Sequence, residues 1–141
     1  MSSSFRYALL AMIAAAGGGF LAVATYAFST STAMTLSFAV SIAIAAVGAA
    51  MAYEGQKRPN IVFRGLGGLL TALAAWTVFA TTGVFGDSTG HWLGFAGGLG
   101  YVGIAAAGLI AGELTTERVV HHLRVGERTE AETRAEEAAA A

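Results

Sequence analysis

Four apolar stretches, residues 7–28, 33–53, 65–86 and 91–112, contain no Asp, Glu, Lys or Arg, and polar breaks separate them. Each matches the roughly 20 helical residues that cross a hydrocarbon core of about 30 Å at about 1.5 Å rise per residue. A helix crosses lipid with its backbone polar groups paired within itself, so the pattern predicts four transmembrane helices. Ser29–Thr32 and Asp87–Gly90 are short turns with N-cap residues, so the spans they join are antiparallel neighbours. The connection from Glu54 to Arg64 is longer and polar, with Pro59 and with Gly55 where a helix C-cap belongs. The predicted fold is all-α: a four-span transmembrane antiparallel helix bundle over residues 1–113. Residues 114–125 read as a short cytoplasmic juxtamembrane helix, with Val119, Val120 and Leu123 on one face. Residues 126–141 form a Glu/Ala-rich flexible tail with nothing to bury, expected to be a frayed helix or disordered, with Glu130 four before Arg134 for a helix-supporting pair.

Charge placement adds an orientation. The eight Lys and Arg residues fall at Arg6, at Lys57, Arg58 and Arg64, and at Arg118, Arg124, Arg128 and Arg134. Two spans separate each place from the next, so all cations lie on one side, which the positive-inside rule makes the cytoplasmic one. The chain is thus expected in the plasma (inner) membrane as a multi-pass protein with both termini inside. Lys57, Arg58 and Arg64, with Arg6, are topology signals that could also meet anionic lipid headgroups. Arg6 followed by an apolar run and Ser31-Thr32-Ala33 loosely resembles a secretory signal. A 22-residue run exceeds the about 7–15 residues of a signal core, so the first span is expected to stay.

The two hairpins look duplicated. Phe5-Arg6 opens the first as Phe63-Arg64 opens the second, and Glu54 and Glu113 close them, 48 and 49 positions later. Such a pattern predicts a parallel repeat about an axis along the membrane normal. Convergence on basic starts and short turns is the alternative.

Between Gly90 and Gly112 lie eight of the chain's 19 glycines. Gly90, Gly94, Gly97, Gly100, Gly108 and Gly112 recur at helical spacing and form a small-residue stripe, which in lipid permits close backbone approach. Span four is therefore expected to be the most buried helix. Gly17-Gly18-Gly19 dents span one at the depth of Trp76 in span three, so Trp76 is expected to fill the dent beside Gly18. Phe5, Tyr7, Tyr53 and Phe63 mark one membrane boundary, and Tyr26, Phe28, Phe85 and Trp92 the other.

With 55% hydrophobic and 12% charged residues the composition agrees with a bilayer as solvent. No cysteine is present, which excludes disulfides and thiolate chemistry on this chain. A proton-coupled pump normally carries an ionisable group within a span, and Asp87 lies at a turn. Glu117 four before His121 offers a carboxylate and an imidazole, with His122 and His91 the other imidazoles. Two ligands fall short of the three or four of a metal site, so no metal or cofactor is expected. No nucleophile has a base and an acid in a motif, and the glycine runs follow no strand, so neither catalysis nor nucleotide or nucleic-acid binding is indicated.

Asn60-Ile61-Val62-Phe63-Arg64-Gly65-Leu66, Trp76, Gly83-Val84-Phe85-Gly86, and Trp92 before Gly97-Gly98-Leu99 resemble the membrane proteins that carry SPW repeats. Thr82-Gly83-Val84 stands about where that family has its Ser-Pro-Trp tripeptide. The resemblance implies a twice-repeated helical hairpin in a small integral membrane protein, with no catalytic residues to carry over. The expected role is non-enzymatic: a structural or accessory subunit whose partners are the lipid bilayer and a second copy or another membrane protein. The alternative is a pore, holin-like or small-solute transport protein, with Thr71, Thr77, Thr81 and Thr82 lining a path.

Overall fold

The computed structural model describes residues 3–57 and 60–141, and the side chains of these apart from residues 3, 4 and 115–120. It is a helical bundle: α1 (Ser3–Ala27), α2 (Thr30–Lys57), α3 (Ile61–Phe79, prolonged by a wide π-type turn over Ala80–Val84) and α4 (Asp87–Ala140). Among the described residues four helical segments are long and apolar enough to cross a membrane: Phe5–Ala27, Thr30–Lys57, Ile61–Val84 and Asp87–Leu114. The chain divides into two units, residues 1–109 and 110–141.

The helices reach further than the apolar stretches, because polar residues extend their ends. Thr30–Thr32 and Asp87–Gly90, expected as turns, belong to the first turns of α2 and α4. Two residues remain at each turn, Phe28-Ser29 and Phe85-Gly86. Gly83 and Gly86 have φ of +85° and +81°, a region that costs an L side chain about 1–2 kcal/mol, and this is what lets α3 end and α4 begin so abruptly. At the other end Asn60 starts α3, its Oδ1 accepting from the backbone N–H groups of Val62 at 3.1 Å and Phe63 at 3.4 Å. Gly55 is not a C-cap, since α2 continues to Lys57. A β-carbon on Gly55 would meet the Arg64 backbone nitrogen at 2.7 Å, so its role is to let α3 approach.

Glycine contacts define the order of the bundle. Gly17 faces Ile44 and Val40 of α2, while Gly48 and Gly67 bring α2 and α3 together beside Thr71 and Ala52. Gly97 and Gly100 of α4 lie on Thr77 and Leu73 of α3, and Gly98 meets Gly18 and Leu21 of α1. Each helix therefore packs on the next, and α4 returns to α1. Across the diagonal, Gly94 reaches Ser37 of α2, and Tyr7 of α1 stacks on Phe63 of α3 with ring centroids 4.0 Å apart. Tyr7 is only 4% exposed, so it belongs to the core and not to a boundary belt.

The glycines of α4 do not form a seam to one neighbour. Gly90 meets Met34 and the Ala80 carbonyl, Gly94 meets α2, Gly97 meets α3 and Gly108 meets the Tyr7 ring of α1. They leave α4 at azimuths that serve three partners. Its apolar segment is buried to 33%, equal to that of α1, so span four shares the position of most buried helix. The Trp76 expectation fails. Gly18 is occupied by the Gly98 carbonyl and Tyr101 of α4, while Trp76 is 51% exposed and lies 6.0 Å from both Phe79 and Phe85. Equal depth does not give equal azimuth, and the Gly18 face looks away from α3.

The second unit is helical throughout to Ala140, including the stretch expected as a frayed helix or a disordered tail. Thr129 and Thr133 donate their hydroxyls to the carbonyls of Val125 and Thr129, at 2.9 and 2.8 Å, which fits Glu- and Ala-rich sequence with high helix propensity. Gly126 stays within the helix, as does Gly112.

Candidate functional site

Apolar residues make most of the core of the first unit. Ala11, Ala14, Leu21, Met51, Leu70, Ala74 and Ala105 are fully buried. Polar side chains in such surroundings need partners, because an unpaired polar group in a medium without water costs several kcal/mol. Most of them bond back to their own helix: Thr25 donates to the Leu21 carbonyl, Thr77 to that of Leu73 and Thr81 to that of Thr77, each at 2.9 Å. Tyr101 and Ser41 make a buried link between side chains of different helices, the phenol donating to Ser41 Oγ at 2.8 Å. Both are fully buried, and such bonds in membranes contribute about 0.6–2 kcal/mol.

These polar positions are ordered along the bundle. Ser37, Thr81 and Gly94 form one layer, Thr77 and Gly97 lie beneath, and Ser41 with Tyr101 follows. Above them, at the end that carries the two short turns, an open cleft of about 1090 Å³ lies between the starts of α2 and α4 and the π-type turn. Hydroxyls line much of it, with Thr35, Thr81 and Thr82 among them, and Met34, Phe38 and Trp92 give it apolar walls. Asp87 is its one formal charge and His91 stands four residues on, one helical turn away on the same face. Nδ1 of His91 is buried and has no hydrogen-bond partner. The wide turn at Ala80–Val84 is what turns Thr82 and Gly83 to the cleft, and π-type turns of this kind often mark functional places.

Of the residues singled out in the sequence, Gly18, Gly90, Gly94, Gly97 and Gly108 pack between helices of this unit, while Trp76 faces outward. Thr77 and Thr81 lie in the buried polar layers and Thr82 lines the cleft, whereas Thr71 bonds to the Gly67 carbonyl at 3.0 Å in the α2–α3 seam. At the opposite end, Glu54 gathers Arg6 at 4.0 Å and Lys57 at 3.4 Å, and the Lys57 ammonium sits 4.5 Å over the Tyr53 ring. These are solvent-side contacts of small stabilising value. Arg64 is exposed beside Gly55, and Arg58 lies outside the described residues. Sequence reasoning missed Ser37, Ser41, Tyr101 and Gly98. Single hydroxyls in an apolar run carry no periodic signal, and their importance arises from which helix they face.

Comparison with family models, with curated proteins and with solved structures gives no match.

Proposed function

We propose that the chain is a small non-enzymatic integral membrane protein that serves as a structural or accessory subunit. In this reading it sits in a plasma membrane with both termini and all Lys and Arg on the cytoplasmic side, and its two hairpins descend from one duplicated unit of the kind that SPW-repeat proteins carry. The observation that carries the proposal is a set of glycines with no use inside the bundle. A β-carbon on Gly19, Gly65, Gly68 or Gly103 would meet nothing within 4 Å. Glycine within a helix costs about 0.5–1 kcal/mol relative to alanine, and close approach of a further helix is what such positions permit in lipid. Gly65 and Gly68 are one turn apart on the exposed face of α3, next to exposed Leu69. We assign that face to a second copy of the chain. Gly65→Leu with Gly68→Leu should convert the oligomer to monomer, read by light scattering in mild detergent, with the monomer's melting temperature unchanged. A wild-type protein that is already a monomer at all concentrations in mild detergent and in bilayers would refute the assignment.

A second reading is favoured by the cleft. A pore or carrier for a small solute would use the cleft as its entrance and the Ser37, Thr77 and Ser41 layers as its path, opening by release of the Tyr101–Ser41 hydrogen bond. Solute flux into liposomes separates the two readings.

A further inference from the structure

Three cations meet at the end of the first unit opposite the short turns. Arg6 of α1 and Lys57 of α2 both approach Oε1 of Glu54, at 4.0 and 3.4 Å, and the Lys57 ammonium lies 4.5 Å over the Tyr53 ring. Arg64 of α3 belongs to the same end. Its backbone lies against Gly55, the residue after Glu54, and the stacked rings of Tyr7 and Phe63 belong to the residues adjoining Arg6 and Arg64. The Glu54 side chain is 17% exposed, whereas those of Arg6 and Lys57 are 54% and 50% exposed, so the carboxylate is covered and the cations stand open. A guanidinium carries five N–H donors and an ammonium three, and a single carboxylate oxygen leaves most of them unused. Exposed ion pairs of this kind add little to stability, so the fold alone does not account for the convergence. A topology signal does not account for it either, because it needs cations near the ends of spans and makes no demand on how they stand to one another.

Arg6, Lys57 and Arg64 against Glu54 leave a surplus of positive charge that is rich in N–H, which selects an anion with several acceptor oxygens. Exposed Phe5, Ile61 and Val62 flank the group at the starts of α1 and α3. A free anion gains nothing from such apolar neighbours, whereas a lipid lays its acyl chains on them. We propose that this end is a binding site for the phosphate headgroup of an anionic phospholipid, held between the ends of α1, α2 and α3. The guanidinium groups of Arg6 and Arg64 and the Lys57 ammonium donate to the phosphate oxygens, Glu54 holds Arg6 and Lys57 beside each other, and Phe5, Ile61 and Val62 meet the chains below the headgroup. A zwitterionic lipid fits less well, since its own ammonium meets the surplus positive charge. Binding here does not depend on whether the protein serves a partner or moves solute.

Native mass spectrometry of the full chain in an uncharged detergent tests it, with three probes: phosphatidylglycerol, phosphatidylcholine with the same acyl chains, and glycerol phosphate. Phosphatidylglycerol should bind at one tight site per chain, about tenfold more tightly than phosphatidylcholine or better, and glycerol phosphate, which lacks the chains, should not bind. Gln56→Lys combined with Lys57→Gln keeps the charge of the segment but moves the cation off the face of Glu54, because positions two apart on a helix do not face each other. That exchange should weaken phosphatidylglycerol about fivefold, as should Arg6→Gln, while Arg124→Gln, which removes the same charge from the second unit, should leave it unchanged. Equal affinity for the two lipids, glycerol phosphate binding as tightly as the lipid, an exchange without effect, or equal losses from Arg124→Gln and Arg6→Gln would overturn the proposal. The comparison of probes on the unmodified chain is decisive even if a variant fails to fold.

Discussion

At the scale of single residues, glycine acts here through what stands opposite it. Gly18 and Gly19 are neighbours in one helix, yet a β-carbon at Gly18 would press on the Gly98 carbonyl and come within 2.9 Å of Tyr101 Cβ, while one at Gly19 would meet nothing. Backbone cannot move aside as a flexible side chain can, so Gly18→Ala must push α1 from α4. We expect Gly18→Ala to cost about 1–3 kcal/mol, the usual range for overpacking, and Gly19→Ala to raise stability by about 0.5–1 kcal/mol, the helix-propensity gain with no clash to offset it, both read from unfolding in detergent. The sequence marked this trio of glycines as a dent but assigned Trp76 to fill it. Depth along a span can be counted from residue numbers, whereas the direction in which a helix face points depends on the packing of all four helices. For the same reason Tyr101 and Ser41 were illegible: sixty residues separate two hydroxyls that lie 2.8 Å apart.

At the scale of elements, the helices themselves were plain in the sequence, because a 20-residue run without charge has few other solutions in lipid. Their ends were less so. Thr30–Thr32 and Asp87–Gly90 have turn composition but are helical, as Ser, Thr and Asp are also the residues that begin helices. The reversal before α4 depends on Gly83 and Gly86, both at positive φ. Gly86→Ala should therefore lower stability by about 1–2 kcal/mol, in a position where no packing contact is lost, as a detergent unfolding titration would register. An unchanged midpoint would mean that the turn adopts another conformation. The continuation of α4 through residues 126–140 takes the helical of the two states open to the tail. A segment with nothing to bury was expected to be a frayed helix or disordered; Ala and Glu have high intrinsic helix propensity, and an upstream helix removes the cost of nucleation.

At the scale of the whole molecule, we propose for the bundle of four apolar helices the orientation that its charge placement implies. The first unit is closed by α4 returning to α1, with the open cleft at the turn end and the Arg6–Glu54–Lys57 cluster at the other. Both functional proposals depend on those two ends facing opposite sides of a membrane. The chain contains no cysteine, so single cysteines can be introduced without a background to remove. Ser31→Cys and Ser88→Cys place a thiol at the turn end, and Gln56→Cys places one at the other. In intact cells a membrane-impermeant maleimide should label the first two and spare Gln56→Cys until the membrane is permeabilised. Labelling of Gln56→Cys in intact cells, or protection of Ser31→Cys and Ser88→Cys, would contradict the account.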